Sequence, residues 1–397
     1  MKFGYSILKW GFAFIAALGT ATAAAQTIKI GLLSTFSGPQ AQYGEQIERG
    51  VRLYMKLNAD RLPPGVKVEI IVRDDGGPNP DNAKRLAQEL IVRDKINFLT
   101  GLNWTPNTLA IAPLINQAKV PSIIMNAAAS VITTRSPYFV RFSFTEWQAG
   151  YTMGKWASKR YKRAFTLVSD FSPGHDSEQA FEKGFTEGGG QIIGKTRTPV
   201  LNFDFLPFIQ RVKDAKPDAL FVFVPAGQQS VQIMKSFRDL DLDKEGIKLI
   251  GSGNITTDEE LPNMDDSAIG VVTSFHYSFS GDRPANKLFR ELFAKEYGNK
   301  VIPSLMTIAA WDGMDAIYAA IRAQGGRIDP DRTMELLRNY KNPNSPRGPI
   351  SIDPETRDIV QNMYIREVRR VGGQLANVEI DVFPNVKDPW KELNRVK

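Results

Sequence analysis

The sequence predicts an α/β fold of two doubly wound parallel-sheet lobes, and three observations carry that prediction. The stretch 28–51, IKIGLLSTFSGPQAQYGEQIERGV, reads as an apolar strand, a Gly/Ser turn and an amphipathic helix. Strand, loop and helix units then continue as βαβαβαβ to residue 125, an order that implies parallel strands joined by right-handed crossovers. After Ala164 the pattern restarts, as an approximate internal duplication. LLSTFSGP corresponds to VSDFSPG, FLTGLNWTPNT to FVFVPAGQQS, and IIMNAAASVITT to LIGSGNITTDE. Two such half-domains bury their own cores and meet at a cleft, with strand-end loops facing each other across it.

The first strand carries Ile28, Ile30, Leu32 and Leu33. Its helix sets Tyr43, Ile47, Val51 and Tyr54 on one face. Residues 66–72, VKVEIIV, alternate as a strand and end in the turn Asp74-Asp75-Gly76-Gly77-Pro78. That turn reads as solvated rather than metal-binding, since no third ligand follows at a suitable spacing. Residues 82–94 are helical, with Ala83, Leu86, Ala87, Leu90 and Ile91 on one face. A strand at 96–99 ends in the loop 100–106, TGLNWTP, and a strand at 121–125 ends in Asn126-Ala127-Ala128-Ala129-Ser130. In open α/β sheets, ligands sit beyond such carboxyl ends.

In the second half, residues 164–168 form a strand whose loop is 169–176, SDFSPGHD. A helix follows with Ala180, Phe181, Gly184 and Phe185. A strand starts at Gln191, and Ile209 and Val212 mark a short helix. The apolar strand 219–224 leads to the loop 225–230, a helix over 231–240, a strand at 247–250 and the loop Gly251-Ser252-Gly253-Asn254. Beyond them lie a strand at 271–275 and helices at 286–297 and 305–323. The longer helix carries an apolar stripe of Ile308, Trp311, Met314, Tyr318 and Ile321, with Trp311 assigned to the core. Asp329-Pro330 starts another helix by N-cap and Pro-first logic. Residues 342–349 are linker-like, and the tail 350–383 reads as short strands turning at Asp353-Pro354 and Gly372-Gly373.

Composition removes several functions. Residues 1–25 read as a secretory signal peptide: Lys2 and Lys9, an apolar run over 10–18, and Ala23-Ala24-Ala25 before Gln26. That run is too short to span a membrane. The net charge is +7, or +5 without Lys2 and Lys9, with the signs interspersed and no basic run among aromatics, so nucleic acid is not a partner. There is no cysteine, and the two histidines, His175 and His276, are far apart. Disulfides, thiolate nucleophiles and multi-His metal sites are thereby excluded or poorly supplied. The chain also lacks G-x-x-x-x-G-K-[ST], G-x-G-x-x-G and G-x-S-x-G, so nucleotide binding, dinucleotide cofactors and hydrolase chemistry find no footing. No enzyme, cofactor or metal is expected.

Several stretches resemble one family. They are IKIGLLSTFSGPQAQYGEQIERGV, the turn at Asp74 to Pro78, VPSIIMNAAAS, PGHDSEQAF and AAWDGMDAIYAAI. Together they are similar to the type I periplasmic solute-binding proteins of ABC transporters, in the branched-chain amino-acid (leucine/isoleucine/valine) superfamily. The resemblance implies two lobes joined by three crossovers, near Phe144, Phe275 and Pro346. It divides the chain into 26–143 plus 276–345 and 144–275 plus 346–397. It implies a periplasmic monomer that closes on a small solute about a hinge, then docks on a membrane permease and its ATPase. A sensor reporting to a membrane receptor is the alternative. The resemblance places ligand contacts at Tyr43, Asn103, Trp104, Thr105, Asn126, Ala127, Ala128 and Ser130 in the first lobe. In the second it places them at His175, Asp176, Gln228 and Asn254, with Tyr277 just past a crossover.

Two departures from the branched-chain binders shape the expected ligand. Trp104 stands near their carboxylate-binding hydroxyl residue, and Gly253 near their ammonium-binding glutamate. A buried ammonium without its partner costs several kcal/mol. The resemblance therefore points to an aromatic acid or a similar small carboxylate, with a branched-chain amino acid or amide as the alternative.

Overall fold

The computed structural model describes Met1, residues 26–201 and residues 204–394. Apart from Met1, the export segment lies outside the described residues.

Each lobe has its own sheet. In the first, β1 (Gln26–Ser34), β2 (Val66–Asp74), β3 (Phe98–Gly101), β4 (Ser122–Ile124) and β5 (Phe139–Arg141) run parallel in the order β2-β1-β3-β4-β5. In the second, β6 (Arg163–Ser169), β7 (Gln191–Thr198), β8 (Ala219–Phe223), β9 (Lys248–Ser252) and β10 (Val272–Phe275) repeat that order as β7-β6-β8-β9-β10, again parallel. The duplication seen in the sequence is thus one of topology. Then β11 (Lys341–Asn342), β12 (Ile350–Ile352) and β13 (Ile359–Val371) extend the second sheet antiparallel past β10, and β14 (Gln374–Val386) pairs with β13.

Two strand expectations need correction. β5 has no counterpart in the sequence reading, because three residues are too few to show a period. The tail holds two 13-residue strands rather than short ones. Irregularities at Gln361/Met363 and Ile365/Arg366 break the alternation that would have marked β13 as one strand. The predicted reversal is present, with Gly372 and Gly373 at φ 55 and 83, where glycine pays no Cβ penalty.

The helices are α1 (Gln42–Leu57), α2 (Pro80–Gln88), α3 (Thr105–Ala118), α4 (Glu146–Ala157), α5 (Ser172–Glu187), α6 (Leu206–Ala215), α7 (Gln228–Asp239), α8 (Pro284–Tyr297), α9 (Leu305–Ala323), α10 (Pro330–Arg338) and α11 (Pro389–Leu393). The α1 stripe Tyr43, Ile47, Val51 and Tyr54 is buried. α9 has the predicted bounds and packs on α1, with Trp311 edge-on to Tyr54 and Phe289. Asp329 caps α10 by accepting from the Arg332 N–H at 2.7 Å. α4 and α5 pack through glycines: a Cβ on Gly154 would sit 2.4 Å from the Phe181 carbonyl oxygen. Among the described residues, a large core and a smaller cluster around Tyr277, Phe289 and Phe293 fill the first lobe, and two cores flank the second sheet.

The chain passes between the sheets three times: after β5, after β10 and between α10 and β11. One buried cation gathers these passages. Arg347, in the loop between β11 and β12 just past the third, pairs with Asp312 of α9 at 2.7 Å, both without solvent exposure. Its guanidinium also donates to the Phe142 and Ser143 carbonyls of the first passage and to Gln361 Oε1 of β13. On the second passage, His276 stacks on Phe144, and the nearby Arg347 and Arg366 add to burial in pushing its pKa down.

Candidate functional site

The carboxyl ends of the parallel strands of both sheets open on a cleft with about 410 Å³ of space, part of it open to solvent. Tyr43, Asn103, Trp104, Thr105, Asn126, Ala128 and Met306 form the first-lobe wall. Phe171, Pro173, Phe223, Pro225, Ala226 and Asn254 form the second, while Phe144 and Glu146 close the cleft beside the first passage.

The first wall is built from the loop after β3. Gly101 at φ 92 and Leu102 at φ 60 turn the chain sharply. A Cβ on Gly101 would come 2.3 Å from the Leu33 carbonyl oxygen, so only glycine fits there. Trp104 follows as the N-cap of α3, and its ring stacks on Tyr43 with centroids 5.6 Å apart. A relay fixes the indole. Trp104 Nε1 donates to Thr35 Oγ1 (2.9 Å), and Thr35 Oγ1 donates to Asp75 Oδ1 (2.6 Å). Asn107 Nδ2 donates to Asp75 Oδ2 (3.0 Å). Asp75 is therefore not the solvated turn residue expected from sequence: it is 2% exposed, and burial raises its carboxyl pKa.

Beside the indole lies a donor corner. Ser34 Oγ donates to Asn103 Oδ1 (2.9 Å), and the buried Asn103 Nδ2 has no hydrogen-bond partner among the described residues. Trp104 offers no side-chain cap to α3, whose first-turn N–H groups face this end. An unpaired amide donor at a helix N-terminus suits an anion.

A carboxyl group stands on the other side. Glu146 is 1% exposed, and its Oε1 accepts from Asn254 Nδ2 at 2.7 Å. Burial pushes the Glu146 carboxyl up to about 8, and Asp176 adds to the shift, while Ser252, Asn254 and Ser177 pull it down. No Lys, Arg or His lines the cleft among the described residues.

Among the hydrogen bonds that cross between the lobes, two join them at the cleft. Tyr43 Oη donates to the Ala226 carbonyl (3.0 Å), and the Ser130 N–H donates to Asp176 Oδ2 (2.9 Å). Burial, with Glu259 and Glu260 nearby, keeps the Tyr43 hydroxyl well above its ordinary pKa.

Of the residues singled out from sequence, Tyr43, Asn103, Trp104, Thr105, Asn126, Ala128 and Asn254 are brought together. Six others lie elsewhere. Ala127 is buried in the same loop, with its carbonyl accepting from Arg141. Asp176 is held across the lobes by the backbone N–H of Ser130, not by its hydroxyl. His175 points outward to Asp170 at 2.7 Å. Gln228 is exposed, while Gln229 turns inward to the Val200 carbonyl. Tyr277 is fully buried against Leu53, Phe289 and Phe293, and its hydroxyl donates to Asn286. Glu146, Phe144, Phe171, Phe223 and Met306 were not anticipated. A signal for Glu146 existed: Thr145 and Gln148 form a capping box, which places residue 146 in the first turn of a helix beside the crossover.

A family described as periplasmic binding protein matches residues 27–374. Leu/Ile/Val-binding protein homolog 6 of Brucella melitensis is 39% identical over 374 residues, 94% of this chain and 95% of that one. A solute binding protein of an ABC transporter from Rhodopseudomonas palustris BisB5, solved with 3,4-dihydroxy benzoic acid, superposes with a TM-score of 0.88 at 49% identity, covering 92% of this chain and 99% of that one. A second R. palustris solute binding protein, solved with 4-hydroxybenzoate, gives 0.88 at 41%, covering 91% and 98%.

Proposed function

This chain belongs to the periplasmic binding protein family, as a solute-binding protein of the ABC-transporter type, and we propose that it captures a small aromatic carboxylate between its lobes. The carrying observation is the pairing of an aromatic slot with an unfilled donor corner. Trp104 on Tyr43 supplies one flat wall, and Phe171 and Phe223 line the opposite lobe. Asn103 Nδ2 and the N-terminus of α3 hold the carboxylate. A buried aromatic ring hides roughly 150–250 Å², on the order of 4–6 kcal/mol before the costs of association. Two relatives bound to hydroxylated benzoic acids support this ligand class.

An α-amino acid fits less well. Gly253 offers no partner for an ammonium, and a Cβ there would meet the Phe275 ring at 2.2 Å. Capture proceeds by hinge closure of two lobes, 26–143 plus 276–345 and 144–275 plus 346–397, after which the loaded protein docks on a membrane permease. The signal peptide at 1–25 delivers the chain to the periplasm.

A thermal-shift panel of benzoate, hydroxybenzoates, phenylalanine, leucine and valine tests this reading, since a tight ligand raises the melting temperature. The aromatic acids are expected to give the largest shifts, and a largest shift with leucine or valine overturns it. The pH dependence has a definite sign. Below about pH 8 the Glu146 carboxyl is neutral and tolerates an anion nearby; above it, Glu146 ionises and repels the ligand. Affinity for a carboxylate is expected to fall as pH rises from 6.5 to 9 in calorimetric titrations, and to fall much less in Glu146→Gln.

A further inference from the structure

We propose that the Glu146 carboxyl recognises a ring hydroxyl of the aromatic acid and so selects hydroxylated acids over plain ones. The inference rests on the aromatic-carboxylate reading and names the group that distinguishes among such ligands. Three observations carry it. Glu146 lines the cleft yet is almost wholly removed from solvent. Its Oε1 is occupied by Asn254 Nδ2, which also reaches Ser252 Oγ at 3.0 Å, so the carboxyl is held in place. Its Oε2 is buried and makes no hydrogen bond among the described residues.

A buried carboxyl oxygen without a partner is unfavourable, so a ligand group that completes it is selected strongly. A site that hydrogen-bonds a ligand hydroxyl rejects the analogue lacking it far more sharply than an apolar pocket rejects a missing methylene. A hydroxyl also suits this group better than a cation. It donates to a carboxylate and accepts from a carboxylic acid, so it pairs with Glu146 in either state. The anionic end of the ligand also favours a neutral partner here, because no basic side chain lines the cleft among the described residues. Ser177 of α5 flanks the same carboxyl closely enough to favour its ionised form, and its hydroxyl too makes no hydrogen bond among the described residues.

Calorimetric titration of benzoate, 3-hydroxybenzoate, 4-hydroxybenzoate and 4-methylbenzoate into the wild-type protein, Glu146→Leu and Glu146→Gln tests the proposal. The wild type is expected to bind at least one hydroxylated acid tenfold or more tighter than benzoate and 4-methylbenzoate. Glu146→Leu is expected to lose that preference, its affinities for the hydroxylated acids falling to the level of its own benzoate affinity, and Glu146→Gln, which still offers a donor and an acceptor, to keep most of it. Equal wild-type affinities, or a preference that survives in Glu146→Leu, overturn the assignment while leaving the aromatic-carboxylate reading intact. Should Glu146→Leu fail to fold by circular dichroism, the wild-type comparison and Glu146→Gln decide. Binding of none of the four acids overturns the reading itself.

Discussion

Asp312→Ala is expected to lower the unfolding free energy by about 3–5 kcal/mol, the loss typical when one member of a buried ion pair is removed. The carboxylate sits in the interior of α9 with no exposure, and Arg347 meets it through Nε at 2.8 Å and Nη2 at 2.7 Å. Ser345 Oγ donates to the same oxygen at 2.8 Å. Truncation leaves a guanidinium stranded where water does not reach, still tied to the carbonyls of Phe142 and Ser143. The urea midpoint should fall with little change in slope. The double variant Asp312→Leu/Arg347→Met should recover much of the loss, because removing both charges leaves none uncompensated. A single-variant loss below 1 kcal/mol would show that the pair is not a determinant of stability.

Trp104→Ala is expected to weaken the best ligand by about 1–3 kcal/mol, roughly 5- to 150-fold, with the fold retained. The indole is held before any ligand arrives, by its stack on Tyr43 and by the relay through Thr35 to the buried Asp75. A wall fixed in advance adds binding area without an ordering cost at the moment of capture. Trp104→Phe keeps an aromatic face and loses only the bond to Thr35, so its loss should be smaller. Calorimetry with the tightest acid from the thermal-shift panel separates these cases, and unchanged affinity in Trp104→Ala removes the residue from the site.

Much of the fold was legible because its signals are local and repeated. The strand–loop–helix order gave both sheets, the α9 stripe gave its bounds, and Asp329-Pro330 gave the start of α10. What escaped had no local signal. Three-residue β5 shows no period, and the irregularities of β13 shift its alternation out of phase. The site divides the same way. The loops that line the cleft follow from topology, so Asn103, Trp104, Thr105 and Asn254 were found. Side-chain direction within a loop depends on backbone angles that the sequence does not state. His175 looked like a ligand donor but turns to Asp170, while its neighbours Phe171 and Pro173 face the cleft. Tyr277 looked available just past a crossover but fills a core with Phe289 and Phe293.

The cluster around Arg347 has a mechanical consequence. Three separate connections between lobes would flex independently, but here a guanidinium just past the third is bound to the first, and the His276 ring of the second stacks on Phe144 of the first. For the proposed hinge this makes a fulcrum. A few degrees of rotation there become a wide opening at the far rim, as with a lever whose arms are of unequal length. On that proposal Glu146, two residues beyond Phe144, would sweep through little distance, whereas the contacts Tyr43 to Ala226 and Ser130 to Asp176 join the two arms directly. The part of the cleft that reads the solute would then stay nearly stationary while the rim travels.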